Sequence, residues 1–223
     1  FALRNRTKSS MRLAIDAVKE HKADAVISAG NTGALMAMAT IVLKTLPGIS
    51  RPAIASSFPT QAGDSVMLDL GANVECDSNN LVQFAVMGEV YARNELGLSQ
   101  PSVGILNVGV EGLKGNDSVR DAAAILKNSN LPLEFYGFVE GDDIGKGTVD
   151  VIVTDGFTGN IALKTAEGTA QMIAYFLKDA LKSSILSKAG ALLARPAIEK
   201  FRSHFDPRRY NGALLLGLNG ICV

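Results

Sequence analysis

Cysteine, histidine and net charge are all scarce in this chain, and each scarcity closes a route. The two cysteines, Cys76 and Cys222, form no CxxC or other ligand spacing, which suits a reducing compartment without a disulfide framework. The histidines, His21 and His204, stand alone, with no HExxH or HxH pattern. Lys plus Arg equals Asp plus Glu at 22 each, so no global field points to nucleic acid and any electrostatic function is local. No apolar run approaches the roughly 20 residues of a membrane span, and no secretory signal is visible. No serine or cysteine stands in a G-x-S-x-G setting. No carboxylate cluster suggests a magnesium site; Asp142-Asp143 reads as a solvated loop pair.

What is present is an apolar, evenly patterned chain. Hydrophobic residues make up 47% of 223, enough for a sizeable core in one large domain or two small ones. The expectation is a single α/β domain over 1–223, with a helical projection at 158–206. The ends, Phe1 and Ile221-Cys222-Val223, are unusually apolar, so the chain is expected to be a fragment, incomplete at both ends.

Short apolar strands alternate with helices. Helical spacing covers 8–21, about 32–44, about 79–96, 116–128, about 158–186 and about 188–203. Strands are expected at 24–28, 52–57, 65–70, 102–108, 133–139, 150–155 and 212–218. This order implies a parallel or mostly parallel sheet covered on both faces.

Four Gly/Asn-rich loops follow predicted strands: SAGNTGA (28–34), DLGAN (69–73), NVGVEGLKGN (107–116) and TDGFTGN (154–160). Ligands in open α/β sheets bind outside the carboxyl ends of the strands, so the four could line one crevice. Glycine permits close approach of the backbone, whose N–H groups can then face an anion at a helix N-terminus. Any one loop alone reads as an ordinary turn, since Gly and Asn dominate turns; four together read as a site. In the third, Gly109, Gly112 and Gly115 surround Lys114, as in an anion nest with a mobile cation. In the fourth, Thr158 is the expected N-cap of the longest helix, with Asn160 in its first turn. Such a site lacks its own nucleophile, general base and metal. Chemistry then requires a substrate that brings the nucleophile, and inorganic phosphate does so.

The runs SAGNTGALMA, DLGANVECDSNNLVQFAVMG, LNVGVEGLKGND and DVIVTDGFTGNIALKTAEG resemble the bacterial phosphate acyltransferase family over essentially the whole chain. The resemblance implies transfer of an acyl group from acyl–acyl carrier protein to inorganic phosphate, giving acyl phosphate for phospholipid synthesis. It implies a three-layer α/β/α sandwich like isocitrate and isopropylmalate dehydrogenases and phosphotransacetylases. It also implies a cytoplasmic homodimer loosely associated with the membrane, with no metal or nucleotide. The family's opening strand and Asp-Ala-Met-Gly-Gly-Asp loop are absent from this sequence. Carried over onto matching positions, the substrate and phosphate loops are Asn31, Thr32 and Gly33; Gly71 and Asn73; Gly112, Gly115 and Asn116; and Thr158 and Gly159. Lys114 and Asn160 are the catalytic candidates, one serving phosphate and the other the carbonyl, in an order left open. The remaining readings are a phosphotransacetylase acting on a small acyl-CoA and a non-catalytic membrane-associated scaffold that binds acyl carrier protein.

Residues 178–209 carry a local positive excess, with Lys178, Lys182, Lys188, Arg195, Lys200, Arg202, Arg208 and Arg209 against Asp179, Glu199 and Asp206. Between them lies the apolar stretch ILSKAGALLARPA (185–197), with Gly190 and Pro196 as expected helix breakers. Dimer packing, carrier-protein docking and peripheral membrane contact compete here. Ala191, Leu192 and Leu193 are the expected membrane contact.

Overall fold

The computed structural model describes residues 8–204 and 212–223. Two compact units divide the chain, one comprising Phe1–Asn160 with Gly212–Val223 and the other Ile161–Asn211.

The elements of the first unit run α1 (Ser10–Lys19), β1 (Ala25–Val26), α2 (Thr32–Leu43), β2 (Ala53–Thr60), β3 (Gly63–Leu68), α3 (Ser78–Glu95), β4 (Ser102–Leu106), α4 (Asp117–Asn128), β5 (Glu134–Val139), α5 (Asp143–Lys146) and β6 (Val151–Val153). Next comes α6 (Gly156–Lys182), which begins in the first unit and continues into the second. After it come α7 (Ile185–Leu193) and α8 (Arg195–His204), and then β7 (Leu214–Leu216) and β8 (Ile221–Cys222) back in the first unit.

Local chemistry sets many of the boundaries. Ser9 caps α1 by accepting from Arg12 N. Asp77 and Asn80 form a reciprocal capping box at α3, each side chain accepting from the other's backbone N–H. Thr60 pairs with Gly63, so Gln61-Ala62 is a two-residue hairpin turn joining β2 to β3.

The main sheet has the order β5-β4-β6-β3-β2-β7. β5, β4, β6 and β3 are mutually parallel, while β2 is antiparallel to both β3 and β7. It is thus mixed rather than purely parallel, because the tight turn at 61–62 forces β2 to reverse. Successive residues Val66, Met67 and Leu68 of β3, and Val151, Ile152 and Val153 of β6, are all buried. That is the signature of central strands covered on both faces. α3 packs on β3, β4 and β6, placing Leu81, Phe84 and Ala85 in the core with Val66, Val103 and Val151.

One expectation needs correction. The strand before SAGNTGA is β1, which pairs in parallel with β8 in a separate two-stranded sheet. The first loop therefore does not follow a strand of the main sheet. Strand β8 was not expected at all, because Ile221-Cys222 is too short to show periodicity.

In the second unit the predicted helix over 188–203 is two helices. Gly190 lies inside α7 and does not break it. The chain breaks instead at Ser184, which caps α7 by accepting from Ser187 N at 3.0 Å, and at Ala194. Pro196 occupies the second position of α8, where a missing N–H costs no helical hydrogen bond. Arg208, Arg209 and Asp206 lie outside the described residues. Among the described residues, no helix is long and apolar enough to cross a membrane.

Candidate active site

Strands β3, β6 and β4 are adjacent and parallel, so the loops that leave them emerge at one edge of the sheet. Those loops are 69–73, 154–160 and 107–116. The sequence provides the convergence by ending each of three neighbouring strands in a Gly/Asn turn.

The 69–73 loop is organised by a residue that sequence reading passed over. Asp69 is fully buried and its carboxylate accepts five N–H groups. Oδ1 takes Ile54 N at 3.0 Å, Gly71 N at 3.2 Å and Ala72 N at 3.0 Å. Oδ2 takes Asn73 N at 2.7 Å and Asn73 Nδ2 at 2.9 Å. A buried charge with this many donors is solvated by the loop itself. The available signal was an acidic residue at the end of an apolar strand, just ahead of Gly71.

This arrangement corrects one binding assignment. Asn73 is buried, and both donors of its amide are engaged, one on Asp69 and one on Pro52 O at 2.8 Å. It has no amide donor left for an anion and belongs to the scaffold of the loop.

The start of α6 is pressed onto the same loop. Gly156 N donates to Asn73 O at 2.7 Å. A β-carbon at 156 would stand 2.7 Å from that oxygen, and one at 159 would overlap the carbonyl oxygen of Asp69. Glycine at both positions is what lets the helix end approach. Asn160 then lies over Gly71, where a β-carbon on residue 71 would sit 3.6 Å from Asn160 Cβ. The Asn160 side chain is exposed and makes no hydrogen bond among the described residues.

Thr158 is not the cap. Asp155 is, accepting from Thr158 N and from Thr158 Oγ1, each at 2.8 Å. The Thr158 hydroxyl hydrogen is thereby committed to Asp155, because a carboxylate one residue before the helix is a stronger acceptor for its orphan N–H groups.

The third loop is stapled by Asn107, whose Nδ2 donates to Gly109 O at 3.0 Å and Lys114 O at 3.1 Å. Gly115 adopts φ +89°, and any side chain there would overlap the Asn107 amide. Asn116 caps α4 by accepting from Val119 N at 2.9 Å. Lys114 is exposed and forms no ion pair among the described residues, and Gly112 faces open space. The loop thus holds a lysine outward on a rigid base.

The loop 28–34 is built locally. Asn31 caps α2 by accepting from Ala34 N at 3.0 Å, and Gly30 N donates to Ser28 Oγ at 3.2 Å. Thr32 and Gly33 are exposed in the first turn.

Cys76 lies beside these loops, its Sγ 3.8 Å from Asn73 O. Burial, with the nearby Asp69, pushes its thiol up to about 12, so at neutral pH it is a protonated, unreactive group. Asp143 is held below the usual carboxylate range by the Glu140 backbone N–H, helped by Thr148 and Lys146, and Asp142 pairs with Lys146. Among the described residues, no three His, Cys, Asp or Glu side chains gather as metal ligands.

Comparison with known proteins agrees with this architecture. The family described as fatty acid synthesis protein matches residues 1–223. A phosphate acyltransferase of Paramagnetospirillum magneticum is 65% identical over 221 residues, covering 99% of this chain and 63% of that protein. One from Rhodospirillum centenum is 67% identical over 222 residues, covering 100% of this chain and 62% of that protein. The chain thus spans rather less than two thirds of the length of these relatives. A phosphotransacetylase from Streptococcus pyogenes shares the fold, with a TM-score of 0.63 at 19% identity, covering 94% of this chain and 59% of that one. One from Staphylococcus aureus gives 0.55 at 23%, covering 71% and 55%. The resemblance carried by the four motif runs is borne out, and the chain belongs to the fatty acid synthesis protein family, alongside relatives named phosphate acyltransferase.

Proposed function

We propose that the protein transfers a long-chain acyl group from acyl–acyl carrier protein to inorganic phosphate. The observation that carries this reading is that three Gly/Asn loops leave one edge of the sheet at the ends of the adjacent parallel strands β3, β6 and β4, with Asn160 over Gly71. The name of the relatives supports the reaction class.

In this reading a phosphate oxygen attacks the thioester carbonyl carbon. The new C–O bond forms, the C–S bond breaks, and the proton of the monohydrogen phosphate ends on the departing carrier thiol. No side chain has to act as a nucleophile. The protein's part is orientation and stabilisation of charge. Lys114 and Asn160 supply a cation and an amide donor, one toward phosphate and one toward the carbonyl oxygen. Gly112 lets backbone approach the ligand, while Gly71, Gly115 and Gly159 bind through the loop shape they permit, making room for Asn160, the Asn107 amide and the Asp69 carbonyl. Asn116, at the head of α4, and Asn31, Thr32 and Gly33, at the head of α2, complete the binding set. Asn73 and Thr158 act through the scaffold.

The partners in this reading are acyl carrier protein and a second copy of the chain. Support for the second copy is the exposed apolar series Met172, Ile173, Tyr175 and Phe176 on α6. Support for a peripheral membrane contact from the cytoplasm is α7, where Ile185, Leu186, Leu192 and Leu193 are exposed beside basic residues and Ala191.

The test compares the full-length protein on long-chain acyl carrier protein and on acetyl-CoA at saturating phosphate. Faster turnover of the carrier substrate is expected. Preference for acetyl-CoA would assign a phosphotransacetylase, and carrier binding without turnover would assign a scaffold.

A further inference from the structure

Helix α2 raises a problem of its own. Its sequence TGALMAMATIVL contains no charged residue, so it is apolar on every side. One side is spent in the core, through Leu35, Met38, Ala39, Val42 and Leu43. The other side carries Met36, Ala37, Thr40 and Ile41, at one-turn spacing, and Ile41 is 60% exposed. A helix that is apolar all round is normally covered all round.

That outer side is one wall of a groove of about 750 Å³. The opposite wall is Ala72, Asn73 and Val74, and Val74 is 66% exposed. Arg51 and Glu75 lie among the lining residues, and Arg51 Nη1 reaches Glu75 O at 3.5 Å. The groove is therefore continuous with the 69–73 loop of the candidate site, since Ala72 and Asn73 belong to both.

We infer that this groove between α2 and residues 72–75 binds the aliphatic chain of the acyl donor, with the reacting carbonyl toward the 69–73 loop. The inference rests on the acyl-transfer reading. Three features select an aliphatic chain. The exposed hydrophobic side chains on the two walls, Ile41 and Val74, are aliphatic, no aromatic residue lines the groove to stack a ring, and its charged residues are confined to Arg51 and Glu75. The volume lies in the range that takes a small ligand. The groove leads directly to the 69–73 loop of the candidate site, since Ala72 and Asn73 line it. Each methylene buried there is worth roughly a fourfold gain in binding, so the groove would set chain-length preference.

The experiment uses the full-length protein and two variants. The double change Ile41→Gln with Val74→Gln makes both walls polar at exposed positions. Ala37→Trp fills the groove. The readout is the ratio of kcat/KM for a sixteen-carbon acyl carrier to that for a four-carbon one, which cancels general losses of active protein. Both variants are expected to lower this ratio at least tenfold. An unchanged ratio overturns the inference, including the case where thermal stability falls, which would assign the groove to packing against protein. Should the unaltered protein transfer neither chain to phosphate, the acyl-transfer reading fails by itself. The groove is then judged by calorimetric titration with palmitate. Binding lost in the double variant supports the groove, and binding absent from the unaltered protein or unchanged in the variant overturns it.

Discussion

The backbone N–H of Gly156 donates to the carbonyl of Asn73 at 2.7 Å, joining the first residue of α6 to the loop that leaves β3. Around this bond two glycines remove the side chains that would keep helix and loop apart. The position of Asn160 over Gly71 follows from it.

Gly159→Ala should therefore displace the helix end. Its methyl group would overlap the Asp69 carbonyl oxygen, and backbone cannot yield as a flexible side chain does. The expected cost is about 1–3 kcal/mol of stability, with at least a tenfold loss of acyl phosphate formation. Denaturant unfolding and turnover measured together check this; a variant unchanged in both would contradict the packing argument.

Asp69→Asn tests the buried carboxylate. One acceptor oxygen becomes an NH₂ group that faces backbone N–H donors. Unsatisfied and repelling donors in a buried site are expected to cost roughly 2–3 kcal/mol. The KM for phosphate should rise as Gly71 N and Ala72 N lose their anchor. Equal stability of variant and parent in urea would show that the loop does not depend on this charge.

Lys114→Ala removes an exposed side chain from a loop held by Asn107. The melting temperature is expected to stay the same while acyl phosphate formation falls at least tenfold. A folded variant with near-normal rate would remove Lys114 from the reaction.

The Cys76 thiol is raised from 9.0 to about 12, chiefly by burial. The unfolded chain releases this proton near pH 9, whereas the folded chain holds it to about 12. The stability this contributes is intact below pH 9 and is lost progressively as pH rises toward 12. Between pH 9 and 11, the parent should lose stability more steeply than Cys76→Ala. Parallel curves would contradict the burial argument.

In the second unit, changing Ala191, Leu192 and Leu193 together to serine is expected to weaken co-sedimentation with anionic vesicles severalfold without lowering the melting temperature. Unchanged co-sedimentation would remove the membrane contact.

Much of this architecture was legible in the chain. DVIVTD reads as a buried strand because Val151, Ile152 and Val153 are apolar without alternation, and all three are buried on both faces. The spans of α2 and α4 were legible from apolar periodicity over about 32–44 and 116–128, but that Asn31 and Asn116 cap these helices emerged only from the structure. Long-range pairing was not legible. Nothing local to Ala25-Val26 says that its partner is Ile221-Cys222, nearly 200 residues away. The role of Asp69 was hidden for the same reason, since one of its donors comes from Ile54 on a neighbouring strand. Thr158 misled because threonine caps helices well, yet Asp155 stands three residues earlier and outcompetes it.

The central claim is that phosphate is the attacking nucleophile at the three loops. The most direct measurement incubates the full-length protein with long-chain acyl carrier protein, without added metal, over a range of inorganic phosphate concentrations, and counts freed carrier and acyl phosphate together. The account predicts equal amounts of both, rising with phosphate to saturation. Carrier release that ignores phosphate, or none at all, would contradict it.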